Sequence, residues 1–145
     1  MKGKTVAFCG DHTARALKEE LIVYCTSLGW QCRDVGVADG QVCDYPELAK
    51  ETAGLVADGQ AARGILICGT GIGMSIVANK VRGIRCVCCS EPYSAQLSRS
   101  HNDANCLAIG ARVLGSELAK MIVKVWLETE FEGGRHARRV GMIEE

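Results

Sequence analysis

Short apolar runs alternate along this 145-residue chain with stretches whose apolar residues have helical spacing. The apolar runs predict strands at Thr5–Cys9, Gln31–Val37, Gly64–Cys68, Ile84–Cys89 and Asn105–Ile109. The stretches between them predict helices near residues 14–28, from 46 to about 58, after the turn at 69–73 to Asn79, at 91–99 and at 116–129. This alternation predicts an α/β domain with a mainly parallel sheet.

The length fits a single domain over residues 1–145. The helix predicted at 116–129 carries an apolar side formed by Leu118, Met121, Ile122, Val125 and Trp126. A polar, basic segment follows, and it resumes as helix after Gly133-Gly134. Arg135 and Arg139 stand four residues apart there and so share one helical face.

The carboxyl ends of the predicted strands carry the chemically distinctive residues. Asp11 and His12 follow the first strand, Cys68 and its glycines the third, and Gly110-Ala111-Arg112 the fifth. Ligands of open parallel sheets bind beyond the carboxyl ends of the strands. We therefore expect a functional site at this edge.

The run Cys68-Gly69-Thr70-Gly71-Ile72-Gly73-Met74-Ser75 is the most informative motif. It places a thiol at a strand end, followed by a glycine turn whose backbone amides can approach an anion. A dinucleotide fingerprint needs its third glycine one position later than Gly73, and a P-loop needs a lysine in the turn. A low-molecular-weight phosphatase loop needs arginine where Met74 stands. The motif therefore indicates a catalytic thiol of another kind.

Composition narrows the classes of function. Seventeen basic residues balance seventeen acidic ones, so the charge favours neither nucleic acid nor a membrane surface as partner. No apolar run reaches the roughly 20 residues of a membrane span, and the short apolar segment near the N-terminus is unlike a secretory signal. Nine cysteines in a regular α/β pattern favour free thiols in a reducing compartment, so we expect the cytoplasm.

Most of the cysteines have a simple interpretation. Cys86 and Cys89 have C-x-x-C spacing, but they lie in a run that predicts a buried strand, where alternation points them to opposite faces. A metal site there is disfavoured. Packing in the core is the expected role of four others, namely Cys25, Cys32, Cys43 and Cys106.

Two further groups carry both a functional and a plain interpretation. His101-Asn102-Asp103 offers a histidine for proton transfer, or a turn in which the Asn and Asp cap the backbone. Asp11-His12 has the same two interpretations, the plain one being a cap of the following helix. Arg112, with Arg135 and Arg139, could hold a phosphate; the plain alternative is a solvated basic helix face.

Taken together, these residues resemble the ribose-5-phosphate isomerase B family, which includes galactose-6-phosphate and allose-6-phosphate isomerases. The matching runs are Asp44-Tyr45-Pro46, Gly64 to Ser75, Ser90 to Arg99, His101 to Asn105, Gly110 to Val113 and Glu132 to His136. They cover nearly the whole chain. The resemblance implies a Rossmann-like three-layer αβα sandwich with a five-stranded parallel sheet, without metal or organic cofactor.

The resemblance also implies a homodimer, or a dimer of dimers, with active sites between subunits. The C-terminal segment, about residues 130–145, would reach the partner subunit. The reaction would interconvert ribose 5-phosphate and ribulose 5-phosphate through an enediolate. The alternatives are isomerisation of a hexose 6-phosphate (allose or galactose) and catalytically silent binding of a sugar phosphate.

The resemblance assigns a role to each matching residue. Cys68 would be the base, since the turn holds no acid that could replace it; Thr70 would assist proton movement, and His101 with Asp11 nearby would open the sugar ring. The substrate-binding residues would be His12, Tyr45, Gly69, Gly71, Ile72, Gly73, Ser75 and Asn102. The phosphate-binding residues would be Arg112, Arg135 and Arg139, with His12 beside them.

Overall fold

Strands and helices alternate in the computed structural model, which describes residues 4–36 and 44–145. The strands are β1 (Thr5–Gly10), β2 (Gln31–Asp34), β3 (Arg63–Cys68), β4 (Cys86–Cys88) and β5 (Cys106–Gly110). The helices are α1 (Arg15–Ser27), α2 (Tyr45–Ala57), α3 (Ile72–Ala78), α4 (Pro92–Ser100), α5 (Ser116–Glu128) and α6 (Arg135–Ile143). The predicted order of elements is confirmed, including the helix after Gly133-Gly134. Val37 and Cys43, on which two predictions fall, lie outside the described residues.

All five strands run parallel in the order β2-β1-β3-β5-β4, as the α/β pattern predicts. From β1 the chain moves outward to β2 and then returns to place β3 on the other side of β1. The loops that follow β1 and β3 therefore flank the point where the strand order reverses, which is the usual ligand site of such sheets. Asp11 and Cys68 lie at the starts of these two loops.

Alternate side chains of the strands enter two separate apolar cores. Phe8, Ile65 and Ile109 pack with α1, α4 and α5 on one face of the sheet. Leu66, Cys68 and their neighbours pack with α2 and α3 on the other. The helices thus cover both faces, giving the αβα sandwich, and Cys68 belongs to the α2–α3 side.

The apolar side of α5 differs from the predicted one. Leu118 is 37% exposed and Met121 58% exposed, so these two members of the predicted apolar side are not buried. The buried residues of α5 are Ala119, Ile122, Val123, Trp126 and Leu127. Their spacing of three and four is regular, and the small Ala119 lets α5 approach its neighbours closely.

β4 is a three-residue edge strand, so the prediction of a buried strand over 84–89 was wrong. Cys86 is half-buried and Cys88 is exposed. The predicted alternation is confirmed, because Cys86 packs against the α2–α3 core and Cys89 against the other one. Among the packing cysteines, Cys25 and Cys106 are fully buried, and Cys32 is half-buried.

Arg99 fixes the end of α4 against its surroundings. It is only 5% exposed, and its Nη1 donates to Asp103 Oδ1 at 2.9 Å and to the Ala104 carbonyl at 2.7 Å. Its Nε donates to the Thr129 carbonyl at 3.3 Å. The guanidinium therefore ties the turn before β5 to the end of α5.

We expect Arg99→Met to lower the free energy of unfolding by about 2 kcal/mol, because buried acceptors lose their donor. Urea titration followed by circular dichroism measures this. Lys124→Met is the matched control, since Lys124 pairs with Glu128 on an exposed helix face and should leave the unfolding midpoint unchanged. Equal stability of the two variants would contradict the structural role of Arg99.

Candidate active site

Cys68 ends β3 with its thiol directed at the glycine turn. The side chain is 7% exposed, and Sγ accepts a hydrogen bond from the Gly71 N–H at 3.2 Å. A backbone N–H donated to sulfur favours negative charge on the sulfur. The turn therefore donates a hydrogen bond to the Cys68 sulfur in addition to opening α3.

Burial raises the pKa of the other seven described cysteines, so they remain protonated at neutral pH. The pKa reaches about 12 at Cys9, Cys25 and Cys106 and about 11 at Cys89. These thiols fill the core or its margins. The exposed Cys88 lies beside the site, with its Sγ 3.9 Å from the Thr70 carbonyl oxygen.

The glycine turn packs too closely for side chains at two positions. Gly71 has a φ of +83°, and a β-carbon there would lie 2.9 Å from the Ile109 backbone. A β-carbon at Gly73 would lie 2.6 Å from the Tyr45 ring. Tyr45, to which the family resemblance assigns a substrate contact, thus covers the turn from the start of α2.

Three other residues of the turn have different surroundings. Thr70 is exposed, and its Oγ1 accepts from the Ile72 N–H at 3.2 Å. Ile72 is 57% exposed. Ser75 is buried and donates its hydroxyl to the Ile72 carbonyl at 2.7 Å, so its Oγ is engaged within α3.

The segment after β5 closes the other side of the turn. The Ala111 N–H donates to the Cys68 carbonyl at 2.8 Å, and the Arg112 N–H donates to the Gly69 carbonyl at 3.0 Å. The exposed Arg112 side chain begins beside Gly69, where a β-carbon would lie 3.6 Å from Arg112 Cδ. A guanidinium and a thiol therefore extend from neighbouring strands at one edge.

Asp11 caps its own loop instead of α1. Its Oδ1 accepts from the Thr13 N–H at 2.9 Å and from the Thr13 hydroxyl at 2.6 Å, while the first turn of α1 has no side-chain cap. The Asp11 N–H donates to the Ile67 carbonyl at 3.1 Å, which fixes this loop next to Cys68. His12 is exposed. The predicted site residues that lie at the carboxyl ends of β1, β3 and β5, or that pack on the glycine turn, form what we call the carboxyl-edge group. Its members are Asp11, His12, Tyr45, Cys68, Gly69 to Gly73, Ser75 and Arg112.

The remaining predicted residues lie on the opposite side, near the amino ends of the strands. We call His101, Asn102, Arg135 and Arg139 the amino-edge group. His101 ends α4, which runs back toward the starts of the strands. The Asn102 carbonyl accepts from Arg85 Nε at 3.0 Å, and Arg85 directly precedes β4. The Glu132 N–H donates to the Ser100 carbonyl at 3.0 Å, which anchors the segment that leads into α6.

A single chain therefore holds two separate halves of the predicted site. The structure brings Cys68, Asp11 and Arg112 together. It does not bring His101 close to Asp11 within one chain, nor Arg112 close to Arg135 and Arg139. Sequence reasoning could place each residue on an element, but the direction of α4 decides the edge at which His101 lies.

His101 has two neighbours, His136 and Glu132, to which the sequence analysis assigned no function. The imidazole of His136 stacks on that of His101, with centroids 4.1 Å apart and planes 8° from parallel. Glu132 Oε1 lies 4.0 Å from His101 Nε2 and 3.6 Å from His136 Nε2. The spacing of four between Glu132 and His136, across a glycine pair at a helix start, was the available signal.

These three side chains also have the composition of a metal site, since their ligand atoms lie within 4.8 Å of one another. The stacking opposes that function. A metal ion lies in the plane of each imidazole that binds it, along the nitrogen lone pair. Two nearly parallel, stacked planes do not meet at such a point, so the observed arrangement fits ring stacking better than coordination.

The fold and the thiol–glycine turn define an α/β protein with a candidate ligand site at the carboxyl edge of its sheet. A family model described as Ribose/Galactose Isomerase matches residues 6–143. The chain belongs to this family, as its motifs indicate. No helix within residues 4–36 and 44–145 has the length and apolar character needed to cross a membrane.

Curated relatives and solved structures agree with this membership. The chain is 54% identical to "Ribose-5-phosphate isomerase B" of Escherichia coli, covering 97% of this chain and 94% of that protein. It is 46% identical to "D-erythrulose-4-phosphate isomerase" of Pectobacterium atrosepticum, over 96% and 92%. The structure matches ribose-5-phosphate isomerase B of Clostridium thermocellum with a TM-score of 0.93 and 46% identity, over 97% and 95% of the two chains.

Proposed function

We propose that this chain is an aldose–ketose isomerase that interconverts ribose 5-phosphate and ribulose 5-phosphate. The observation that carries the proposal is the Cys68 thiol, hydrogen-bonded by the glycine turn at the edge where α/β sheets bind ligands. The E. coli relative, 54% identical, bears the name of this activity. Binding alone needs no base, so a positioned thiol argues against a silent sugar-phosphate-binding protein.

In the proposed reaction, Cys68 removes the proton from C2 of the open-chain aldose. The electron pair of the C2–H bond becomes the C1–C2 double bond of an enediolate, and the charge develops on O1. Cys68 then returns the proton to C1, the electron pair of the O2–H bond forms the C2=O2 double bond, and the O2 proton passes to O1, which yields the ketose. Exposed Thr70 would pass protons between the oxygens, and the amides of Gly69 to Gly73 would stabilise the charged oxygen.

The carbohydrate must first open its ring. We propose that His101 handles this proton transfer between the anomeric hydroxyl and the ring oxygen, with Asp11 beside it. An imidazole can both accept and donate a proton through its ring nitrogens, which suits both directions of such a transfer. Tyr45 and Asn102 would hold the sugar hydroxyls, so the reacting carbons stay next to Cys68.

The two halves of the site would meet in a homodimer. An isologous two-fold axis across the β4 side of the sheet reverses the strand direction, so the amino-edge group of each chain approaches the carboxyl-edge group of its partner. Exposed apolar side chains follow the carboxyl ends of three strands on this side, namely Ile72, Tyr93 and Val113. Burying them in an interface would favour the association. The same proposal includes a dimer of dimers as the alternative assembly.

A phosphate held at a distance from the reacting carbons would fix the substrate. We propose that Arg112 and His12 of one chain bind it with Arg135 and Arg139 of the partner. Guanidinium groups form bidentate hydrogen bonds with phosphate oxygens, and four cationic or polar donors suit a dianion.

The unpaired state of the eight described cysteines supports a reducing compartment, and we propose the cytoplasm.

Arg139→Ala is expected to raise KM for ribose 5-phosphate by about tenfold or more, because a charge-assisted bond to phosphate is worth about 1.5–3 kcal/mol. Steady-state kinetics measure this. Arg138→Ala is the control, because Arg138 is exposed on the same helix but lies about 100° around the helix axis from Arg139. Equal KM values for both variants would remove Arg139 from the phosphate site.

One assay tests the proposed function against its rivals. The protein is incubated separately with ribose 5-phosphate, allose 6-phosphate and galactose 6-phosphate, and ketose formation is followed. We expect the highest kcat/KM with ribose 5-phosphate. Preference for a hexose phosphate would establish the alternative isomerase, and binding of all three without a ketose product would establish the silent protein.

A further inference from the structure

The geometry points to Glu132 and His136 as positioning residues for His101, with His136 as a stacking platform and Glu132 as a carboxylate shared by both rings. The inference about catalysis rests on the proposed role of His101 in ring opening. The contacts themselves can be tested without it. Neither residue needs to touch the substrate for this role.

The platform is asymmetric, as positioning requires. His136 has a side chain 10% exposed, whereas the side chain of His101 is 36% exposed. The rings lie nearly parallel, 8° apart, with centroids at 4.1 Å. The buried ring therefore supports one face of His101 and leaves the other face open toward solvent, where a substrate can approach.

Backbone contacts hold both rings in place. The His101 N–H donates to the Leu97 carbonyl at 2.9 Å, and the Glu132 N–H donates to the Ser100 carbonyl at 3.0 Å. The His136 N–H donates to the Gly133 carbonyl at 3.1 Å. Because the segment before α6 is bonded to the last residue of α4, the stack does not depend on side chains alone.

Burial and the surrounding charges disfavour a proton on His136. Burial lowers the pKa of His136, with further lowering by His101, Arg135 and Arg139 and an opposing contribution from Glu132. His136 therefore stays neutral at neutral pH. The Glu132 carboxylate faces both rings, with Oε1 4.0 Å from His101 Nε2 and 3.6 Å from His136 Nε2, so it is placed to orient the exposed ring.

Three variants separate these roles: Glu132→Gln, His136→Phe and His136→Gln. The chain has only three histidines, so nuclear magnetic resonance of the imidazole groups can follow each titration. In Glu132→Gln we expect the titration midpoint of His101 to move about half a pH unit lower, because an opposite charge is lost. His12 is the internal control and should not move.

Kinetics test the platform. We expect His136→Gln to lower kcat for ribose 5-phosphate by about tenfold with little change in KM, since about 1.4 kcal/mol of positioning is a factor of ten. His136→Phe keeps a ring to stack on and should recover most of the lost kcat. An unmoved His101 midpoint in Glu132→Gln would overturn the role of Glu132. Wild-type kcat in His136→Gln, or no recovery with phenylalanine, would overturn the role of His136.

The outcome is distinguishable from failure of the proposed function. Glu132 is exposed and its conservative variant should fold, so the titration can be read even in a chain that turns over no ribose 5-phosphate. A wild-type protein without activity would refute the proposed function. The His101 titration midpoint in Glu132→Gln would still test the contact between Glu132 and His101. If the wild-type protein is active but the His101 titration midpoint is unchanged in Glu132→Gln, the proposed function stands and the role of Glu132 is refuted.

Discussion

Cys68→Ala is expected to lower kcat for ribose 5-phosphate by about 10³- to 10⁴-fold, the upper part of the range for a lost general base. The methyl side chain cannot accept the C2 proton, and the aldose then stops at the open-chain stage. KM, or the Kd of a non-reacting phosphate ester, should change little, because in the proposed reaction Cys68 acts at C2 while the arginines bind the phosphate. Stopped assays with long incubation measure the residual rate.

Cys88→Ala is the matched control for this prediction. Cys88 lies near the same turn, 3.9 Å from the Thr70 carbonyl, yet burial raises its pKa and no step of the reaction uses it. Its loss should leave kcat within about threefold, since the substitution removes only a surface thiol. Substantial residual activity in Cys68→Ala, or equal losses in both variants, would refute Cys68 as the base.

His101→Asn should lower kcat by about 10²-fold, because general acid–base assistance to ring opening is lost. The reason can be separated from a defect at C2. When ring opening limits the rate, replacing the C2 hydrogen by deuterium slows the reaction less than in the wild type. An isotope effect larger than that of the wild type, together with the lost turnover, would place His101 in the proton transfer at C2 instead.

Much of the fold could be predicted because the physical signals were local. Apolar runs that end at or just before a glycine mark the strands Thr5–Gly10 and Arg63–Cys68, which carry the candidate site. Proline at the start of α4 and glycine before α6 mark helix boundaries. The errors fell where tertiary context decides: β4 has the composition of a central strand but lies at the sheet edge. No local pattern reveals which neighbour a strand lacks.

The candidate site could also be predicted only where its signals were local in the sequence. The turn after β3 indicated a thiol beside backbone donors, and the hydrogen bond from Gly71 to Cys68 agrees with that interpretation. The stack of His101 on His136 could not be predicted, because the two histidines are 35 positions apart and meet only through the packing of α4 and α6. The division of the site between two edges likewise follows from helix direction.

The central claim is that one working site combines Cys68 of one chain with His101 of its partner, and mixed dimers test it most directly. Chains carrying Cys68→Ala and His101→Asn are co-expressed with different affinity tags, and the heterodimer is purified through both. Such a heterodimer has one site with both residues intact and one with neither, so we predict about half the wild-type kcat per dimer. If both residues act within one chain, each site lacks one of them. Activity no higher than that of the single variants would contradict the account.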